Sequence, residues 1–394
     1  MLLKRQQSAP EEPPVEATVA GGSDDPSPPP SREPLQLTPR RRGGGERFDL
    51  LFVGDTDFGE THQEARERRG RENILKTRGY DAALAGMRRL LSRADLVVAN
   101  LETPVTDLAE PAVAETKAYV PKASVEHTPA HLRANNILVT SLANNHALDY
   151  GAAGLAQSLE ALAAGGITCI GAGRTAAEAA EPLLVELRSD VGTKRVAIFA
   201  TYDAPAASEI RRAASEADGP QIGVLDVEAL SERIRRLKAE DPRTLVVVFP
   251  HWGRNYAWRS ARQRRLARNL FAAGADLILG HGAHMLQEVD ARDGRAVAYS
   301  LGNFVFNRPG RYARNNAPPF SLVARLRLRP DGEDWRRAIR LYPIVSDNRL
   351  TDYKPRLLRD DELDSVRYLA VERRRGTRLR HGLDATGPFI RLDT

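Results

Sequence analysis

Cysteine is nearly absent from the sequence, since Cys169 is the only one in 394 residues. A single cysteine excludes a framework of intrachain disulfides and a cysteine-based zinc site, so a metal site would have to use His, Asp, Asn or Glu. No segment reaches the roughly 18 apolar residues of a membrane-spanning helix, and residues 1–5 lead into polar residues rather than an apolar signal segment. These absences predict a cytoplasmic protein without a membrane span.

The sequence also lacks a strong excess of one charge sign. It has 58 Lys and Arg against 52 Asp and Glu, and its formal net charge is +6. A small excess of Lys and Arg is by itself weak evidence for nucleic-acid binding. The sequence contains no RNP, zinc-finger or basic-zipper pattern. There is therefore no specific nucleic-acid motif, although the Arg-rich segment 261–273 leaves polyanion binding open as a hypothesis.

Residues 1–46 are rich in Pro, Gly and Arg. Such a segment buries too little apolar surface to offset the entropy lost on ordering, so we predict a disordered tail. It is either a solvated linker or a tether whose arginines contact an anionic surface. With 42% hydrophobic residues, the rest of the chain can bury a large core. We predict a main α/β domain over 47–310 and, over 311–394, C-terminal strands and a helix that pack on the same domain.

Polar side chains follow five predicted strands at the point where each strand ends. The strands are predicted at 49–53, 96–99, 137–139, 245–249 and 277–279, and the side chains that follow them are Asp55 and Asp57, Asn100 and Glu102, Asn145 and His146, His251, then His281 and His284. Because strand ends in a parallel or mixed sheet meet at one edge, these donors should line one cleft. Mixed nitrogen and oxygen donors suit Mn²⁺, Fe²⁺, Zn²⁺ or Mg²⁺. So many donors predict two divalent ions, about 3.5 to 4 Å apart as in two-metal hydrolytic sites.

The remaining pattern predicts other elements around these strands. Residues 105–128 have no clear period and are expected to form an excursion over the sheet edge, or a lid. Residues 320–328 and 335–342 alternate as antiparallel strands do. Helices are predicted, among others, at 73–91, 152–164, 227–238, 261–273 and 360–375.

Six motifs in order carry a family resemblance that covers about residues 50–306. They are GDTDFG (54–59), ANLETP (99–104), SLANNHALDYG (141–151), HWG (251–253), HGAHMLQ (281–287) and YSLGNF (299–304). Together they resemble the CapA family, the poly-gamma-glutamate capsule biosynthesis proteins, which is related to the calcineurin-like metallophosphoesterases. The resemblance implies a four-layer α/β/β/α sandwich. It also implies association with the cell surface as the alternative to a cytoplasmic location.

The resemblance also implies roles for the strand-end residues. Asp55 and Asp57 would take the first-strand metal positions, and either Glu102 or Asn100 the bridging position. Asn145 would bind the second metal. The general-acid position would fall to His146, and the metal shells would be completed by His251, His281 and His284. The chain departs from the family pattern at Asn255, where relatives commonly have Glu, and at Gly282 and Ala283, where many have a His-Pro-His run.

Two main functions follow from these observations. The first is a metal-dependent hydrolase that acts on a phosphoester, or on an amide or ester bond of an anionic polymer. The second is a non-catalytic binding or assembly component of surface-polymer synthesis or export, working with polymer-synthesis partners. The substrate is expected to be anionic in both cases.

Overall fold

The computed structural model describes residues 33–39, 46–113, 117, 119–204, 219–332, 334–367 and 380–392. The strands are β1 Leu35–Leu37, β2 Phe48–Asp57, β3 Leu96–Leu101, β4 Ile137–Ser141, β5 Thr168–Ile170, β6 Ala172–Gly173, β7 Leu183–Ser189, β8 Gly192–Tyr202, β9 Gln221–Ile222, β10 Leu245–His251, β11 Leu277–Leu279, β12 Val289–Arg292, β13 Arg295–Ala298, β14 Asn303–Phe306, β15 Phe320–Asp331, β16 Asp334–Val345, β17 Arg356–Leu357, β18 Arg380–Leu383 and β19 Pro388–Leu392. The α-helices are α1 Glu60–Glu67, α2 Ile74–Arg78, α3 Arg88–Leu91, α4 His127–Ala134, α5 Gly151–Ala164, α6 Ala176–Ala180, α7 Val227–Glu240, α8 Ala261–Ala273, α9 Asn348–Thr351 and α10 Leu363–Arg367.

The strands of the described residues form two large sheets. The first has the order β1-β7-β8-β10-β11-β13-β12, and the second has the order β18-β19-β16-β15-β2-β3-β4-β5, with β14 paired to β2 and β17 to β16. Strands β8, β10, β11 and β13 are parallel to one another, and so are β14, β2, β3, β4 and β5. Each sheet therefore gathers several carboxyl ends along one edge.

Strand β10 shows how the layers are held together. Leu245, Val247 and Phe249 lie in the core between the two sheets, whereas Val246 and Val248 lie in a second core under the helices α7 and α8. Successive side chains of a strand point to opposite faces, so a strand covered on both faces needs a continuous apolar run. This explains why the most hydrophobic run of the chain lies in a central strand.

The helices close the outer faces of the two sheets. Leu266 and Leu270 of α8 are buried against the first sheet. Leu155 and Leu162 of α5 are buried on the side of the second sheet. Rings of Phe52 in β2 and Phe249 in β10 meet between the sheets, with centroids 5.8 Å apart. The order of layers is therefore helix, sheet, sheet, helix, which confirms the four-layer α/β/β/α sandwich.

The predicted helix at 73–91 is wrong as one continuous element. The chain instead forms α2, a 3₁₀ turn at Tyr80–Ala82 and α3. The break is at Gly79, whose φ of 77° and ψ of 162° lie outside the helical region. Glycine adopts this conformation without a steric penalty, so the helical pattern is interrupted although its apolar spacing continues.

Two ends of the chain also differ from expectation. Leu35–Leu37 falls in the predicted tail but forms β1, which pairs in parallel with β7 and packs Leu35 and Leu37 against the core. The rest of the predicted tail up to residue 45, except 33–39, lies outside the described residues. The predicted helix at 360–375 is described as a 3₁₀ turn at Asp360–Glu362 followed by α10, and its later part lies outside them too.

Candidate metal centre

The sheet register brings the first site residues together. Asp55 of β2 is paired with Asn100 of β3 on one side and with Asn303 of β14 on the other. The close approach of the Gly302 segment requires a glycine at position 54, because a Cβ on Gly54 would lie 1.8 Å from the Gly302 oxygen. The other sheet contributes two histidines, and His251 and His281 are paired in a short parallel bridge.

Asp55 is the centre of this arrangement. It is fully buried, and its Oδ1 accepts hydrogen bonds from Asn100 Nδ2 at 3.0 Å and from the Gly282 amide at 3.1 Å. The Nδ1 of His281 lies 3.5 Å from Oδ1, and the Nδ1 of His284 lies 3.2 Å from Oδ2. Burial alone would raise the pKa of Asp55, but the hydrogen bonds and charges of these histidines hold it well below its usual range.

Two clusters of ligand-type side chains share Asp55. The first consists of Asp55, His251 and His281, and the second of Asp55, Glu102 and His284; within each cluster one ligand atom per residue lies within 4.8 Å of the others. The Nδ1 atoms of His251 and His281 are 3.1 Å apart. Burial, with the neighbouring His281, lowers the pKa of His251 well below its usual value. The imidazole of His251 can therefore offer a neutral nitrogen to a metal ion.

The second cluster contains an unpartnered carboxylate. Glu102 is 1% exposed, and neither of its carboxylate oxygens has a hydrogen-bond partner among the described residues. Burial and the neighbouring Asp55 carboxylate raise the pKa of Glu102 to about 8, against the opposing charge of His284. His284 has a φ of 59°, in the left-handed region, and its Nδ1 lies 3.0 Å from Asn303 Oδ1. Such backbone strain is typical of functional positions.

His146 lies beside the second cluster. Its Nδ1 donates to Asp149 Oδ2 at 2.7 Å, and its Nε2 lies 4.0 Å from Glu102 Oε1. Asp149 also pairs with Lys117. Burial lowers the pKa of His146, and the hydrogen bond to Asp149 opposes this effect. The ring is therefore held by one nitrogen, while the other nitrogen points toward the carboxylate of Glu102.

Two further predicted ligands are Asn145 and Asp57. Asn145 is half-buried, and its carbonyl oxygen accepts a hydrogen bond from Lys117 at 2.6 Å. The buried amide beside it, Asn144, donates to Asn100 Oδ1 at 3.1 Å. Asp57 is buried, its Oδ1 accepts from the Gly59 amide at 2.7 Å, and its Oδ2 has no partner among the described residues.

Three residues that contact the candidate ligands do not stand out in the sequence. Asn303 lies in the YSLGNF motif, and Asn144 and Asp149 lie in the SLANNHALDYG motif. The resemblance gives none of the three a role. The repeated Asn in ANNH was the available signal, but only the register of the turn decides which amide reaches Asn100.

The donor set fits a divalent cation. Buried charges are costly unless they are paired or coordinate a metal, and three buried donors have polar atoms without partners among the described residues: Glu102 through both oxygens, Asp57 through Oδ2 and His281 through Nε2. Carboxylate and imidazole donors are the ligands that borderline divalent ions prefer. The buried Asp and His clusters therefore suggest divalent metal binding.

The Arg-rich helix α8 is only partly free for a polyanion. Arg262 pairs with Asp203, with Nη2 and Oδ1 2.6 Å apart. Arg264, Arg265 and Arg268 are exposed. Polyanion binding by this helix stays a prediction. Among the described residues, no helix combines the length and apolar character needed to cross a bilayer.

Two bacterial proteins that are named for PGA or capsule biosynthesis are similar to this chain in sequence. The chain is 29% identical over 269 residues to the PGA biosynthesis protein CapA of Bacillus subtilis, covering 68% of the chain and 65% of the relative. It is 29% identical over 277 residues to the capsule biosynthesis protein CapA of Bacillus anthracis, covering 69% and 63%. The chain thus spans less than two thirds of the length of these relatives.

Among solved structures, the calcineurin-like phosphoesterase YfkN from Bacillus subtilis has 15% sequence identity and a TM-score of 0.37, over 74% of this chain and 87% of that one. The family model described as bacterial capsule synthesis protein PGA_cap matches residues 49–308. This match confirms the resemblance carried by the six motifs. The chain belongs to the bacterial capsule synthesis protein PGA_cap family.

Proposed function

We propose that this chain is a metal-dependent hydrolase that cleaves a phosphoester, or an amide or ester bond of an anionic polymer. The observation that carries the proposal is the pair of buried clusters that share Asp55, one of which contains a Glu102 carboxylate without a partner among the described residues. A buried carboxylate in this state is unfavourable in the protein alone. A purely structural role does not explain it, whereas a cation-binding role does.

Two divalent ions, Mn²⁺, Fe²⁺, Zn²⁺ or Mg²⁺, are proposed for the two clusters. Asp55, His251 and His281 would hold one ion, and Asp55, Glu102 and His284 the other. This assignment makes Asp55 the shared carboxylate, in place of Glu102 or Asn100. When bound, such ions act as Lewis acids and lower the pKa of a coordinated water. Asp57 and Asn145 are proposed to complete the ligand shells from positions next to the clusters.

His146 is proposed as the proton-transfer residue. Because its Nδ1 donates to Asp149 at 2.7 Å, the ring orientation is fixed and Nε2 is the nitrogen left for the reacting groups. A histidine oriented by a carboxylate in this way can take a proton at Nε2 and return it to the leaving group. Lys117, which contacts both Asp149 and the Asn145 carbonyl, holds the loop that carries the histidine.

The biological setting is proposed from the relatives. Two of them are named for PGA biosynthesis and capsule biosynthesis. We place this chain in the same kind of process, as an accessory protein of capsule or poly-gamma-glutamate synthesis acting with polymer-synthesis partners. An anionic polymer or a phosphoester intermediate of its synthesis would then be the substrate.

Metal analysis and a hydrolysis assay on the same preparation test the proposed function. The unsubstituted chain should hold a divalent metal and hydrolyse bis-p-nitrophenyl phosphate with Mn²⁺. His146→Asn should keep the metal and lose the activity. A preparation without metal and without hydrolysis would contradict the proposal. Metal retention combined with full polymer synthesis in a strain carrying His146→Asn would favour the non-catalytic assembly role instead.

A further inference from the structure

A cavity of about 260 Å³ adjoins the proposed metal centre. His284 forms part of its wall, and the same side chain lies 3.2 Å from Asp55 and 3.7 Å from Glu102. A single side chain, that of His284, therefore lies between the cavity and the shared carboxylate of Asp55. Other residues that line it include His62, Tyr119, Tyr256, Arg308 and Arg311.

The charge of this cavity differs from that of the metal clusters. Among the described residues, its lining includes two arginines and two histidines but no Asp or Glu. A larger cavity of about 630 Å³ is lined by Glu60, Glu64 and Asp107 together with two lysines, so its charges are mixed. A concave surface with positive charge and no carboxylate favours an anionic ligand.

Arg308 is the residue best placed to bind that anion. Its guanidinium carbon lies 4.3 Å from the centroid of the Tyr119 ring and 4.4 Å from that of the Phe306 ring. In the part of the chain that the structure describes, Arg308 makes no ion pair with Asp or Glu, unlike Arg262 with Asp203. Stacking on two rings holds the planar group. A guanidinium has five N–H donors, so it can bind an anion while it also interacts with the Tyr119 hydroxyl.

His62 adds a neutral hydrogen-bonding group to the same cavity. Burial, together with the nearby Arg66, lowers the pKa of His62 to about 4, so the ring is uncharged near neutral pH. Its Nε2 is buried and has no hydrogen-bond partner among the described residues. One ring nitrogen of a neutral histidine donates and the other accepts. His62 can therefore contact an oxyanion without a second buried positive charge.

We propose that Arg308, with His62 and Tyr119, forms a subsite for one oxyanion group of the substrate, next to the bond that is cleaved. The inference rests on the proposed function and names its substrate class: a molecule with a phosphate or carboxylate close to the scissile bond. The cavity is smaller than the roughly 300 to 1,000 Å³ of pockets that enclose whole ligands. It takes one anionic group, and the rest of the substrate projects outward.

Anion binding by Arg308 variants tests the subsite. Calorimetric titration of the full chain with inorganic phosphate, and separately with glutarate, is carried out with Mn²⁺ and after chelation, alongside metal analysis. Arg308→Gln should weaken phosphate or glutarate binding by about tenfold or more, because charge-assisted hydrogen bonds are lost. Arg308→Lys should lose less, since the charge stays but the forked geometry does not. Arg89→Gln, at an exposed position of α3 that does not line the cavity, is the matched control and should bind as the unsubstituted chain does.

The two probes and the metal analysis keep the outcomes apart. Tighter binding of phosphate points to a phosphoester substrate, and tighter binding of glutarate points to a carboxylate polymer; both support the subsite if Arg308 is required. Equal affinities of Arg308→Gln and the unsubstituted chain, or no binding of either anion, would overturn the subsite even if metal and hydrolysis are present. Arg308-dependent anion binding in a chain that neither holds metal nor hydrolyses would support the subsite and contradict the proposed function alone.

Discussion

Glu102→Gln should stabilise the metal-free protein at alkaline pH while weakening metal binding. Glu102 is 1% exposed, and both of its carboxylate oxygens lack a partner among the described residues. Burial first, and then the Asp55 carboxylate, raise its pKa from 4.5 to about 8. The charged form is therefore disfavoured in the folded protein, and a neutral amide of the same shape removes the charge.

The magnitude follows from the two pKa values. Since the folded-state pKa lies above that of the unfolded chain, the contribution of Glu102 to stability is complete below pH 4.5 and is lost as the pH rises through about 8. One pKa unit corresponds to about 1.4 kcal/mol, so the loss is on the order of 5 kcal/mol. Glutamine has no proton to release, and this part of the pH dependence should disappear in the variant.

Urea unfolding of chelated protein at several pH values between about 5 and 9 measures the effect. The unsubstituted chain should lose more stability toward high pH than Glu102→Gln does. Added Mn²⁺ should then stabilise the unsubstituted chain more than the variant, because the variant lacks one carboxylate ligand. Glu240→Gln, at the exposed end of α7, controls for the loss of a negative charge. Parallel pH profiles for the unsubstituted chain and Glu102→Gln would refute the reasoning.

Three further substitutions separate catalysis, charge networks and packing. His146→Asn should lower kcat by about 10²- to 10⁴-fold with unchanged metal content. The reason is that Asp149 holds one ring nitrogen, so only Nε2 can serve the reaction. Steady-state kinetics and metal analysis measure the two effects. Asp384→Asn should lower the free energy of unfolding by about 1–3 kcal/mol at neutral pH, because Asp384 accepts a hydrogen bond from Arg325 at 2.6 Å. Urea unfolding measures this loss. Leu270→Ala in α8 should cost about 2–5 kcal/mol, because the side chain is fully buried, and metal binding should stay unchanged.

Acid titration sharpens the second of these tests. Burial would raise the pKa of Asp384, but hydrogen bonds from Tyr342 and Arg325 hold it below its usual value of 3.8. Its stabilising contribution is thus complete above about pH 4 and is lost as the pH falls through the lowered pKa. The difference in the free energy of unfolding between Asp384→Asn and the unsubstituted chain should shrink in acid, and a constant difference would contradict the assignment.

An unchanged kcat in His146→Asn would exclude this histidine from proton transfer.

Much of the fold could be predicted because local signals and packing agree. Helix α8 was predicted with both of its bounds: Ser260 and Gln263 form a capping box at its start, and Gly274 ends it with a φ of 114°. The apolar run of β10 marks a strand buried on both faces. At Gly79 the backbone changes direction although the apolar spacing continues, so the spacing predicts a helix where the backbone does not form one.

The sequence indicated that strand-end residues gather in one cleft, but it did not give the distances between them. Strand ends with Asp, Asn, Glu and His indicated a metal cleft, yet spacing along the chain cannot show which donors meet across two sheets. Asp55 lies within reach of three histidines only because β2 and β10 belong to different sheets of one sandwich. Which of the two amides, Asn144 or Asn145, reaches Asn100 depends on one step of turn register, which composition does not reveal.

Crystals of the full chain grown with Mn²⁺, measured near the manganese absorption edge, test the central claim most directly. Two anomalous difference peaks should lie on either side of the Asp55 carboxylate, one beside His251 and His281 and the other beside Glu102 and His284. A map without peaks at Asp55, or with the metal bound elsewhere, would contradict the assignment of these clusters as the metal centre.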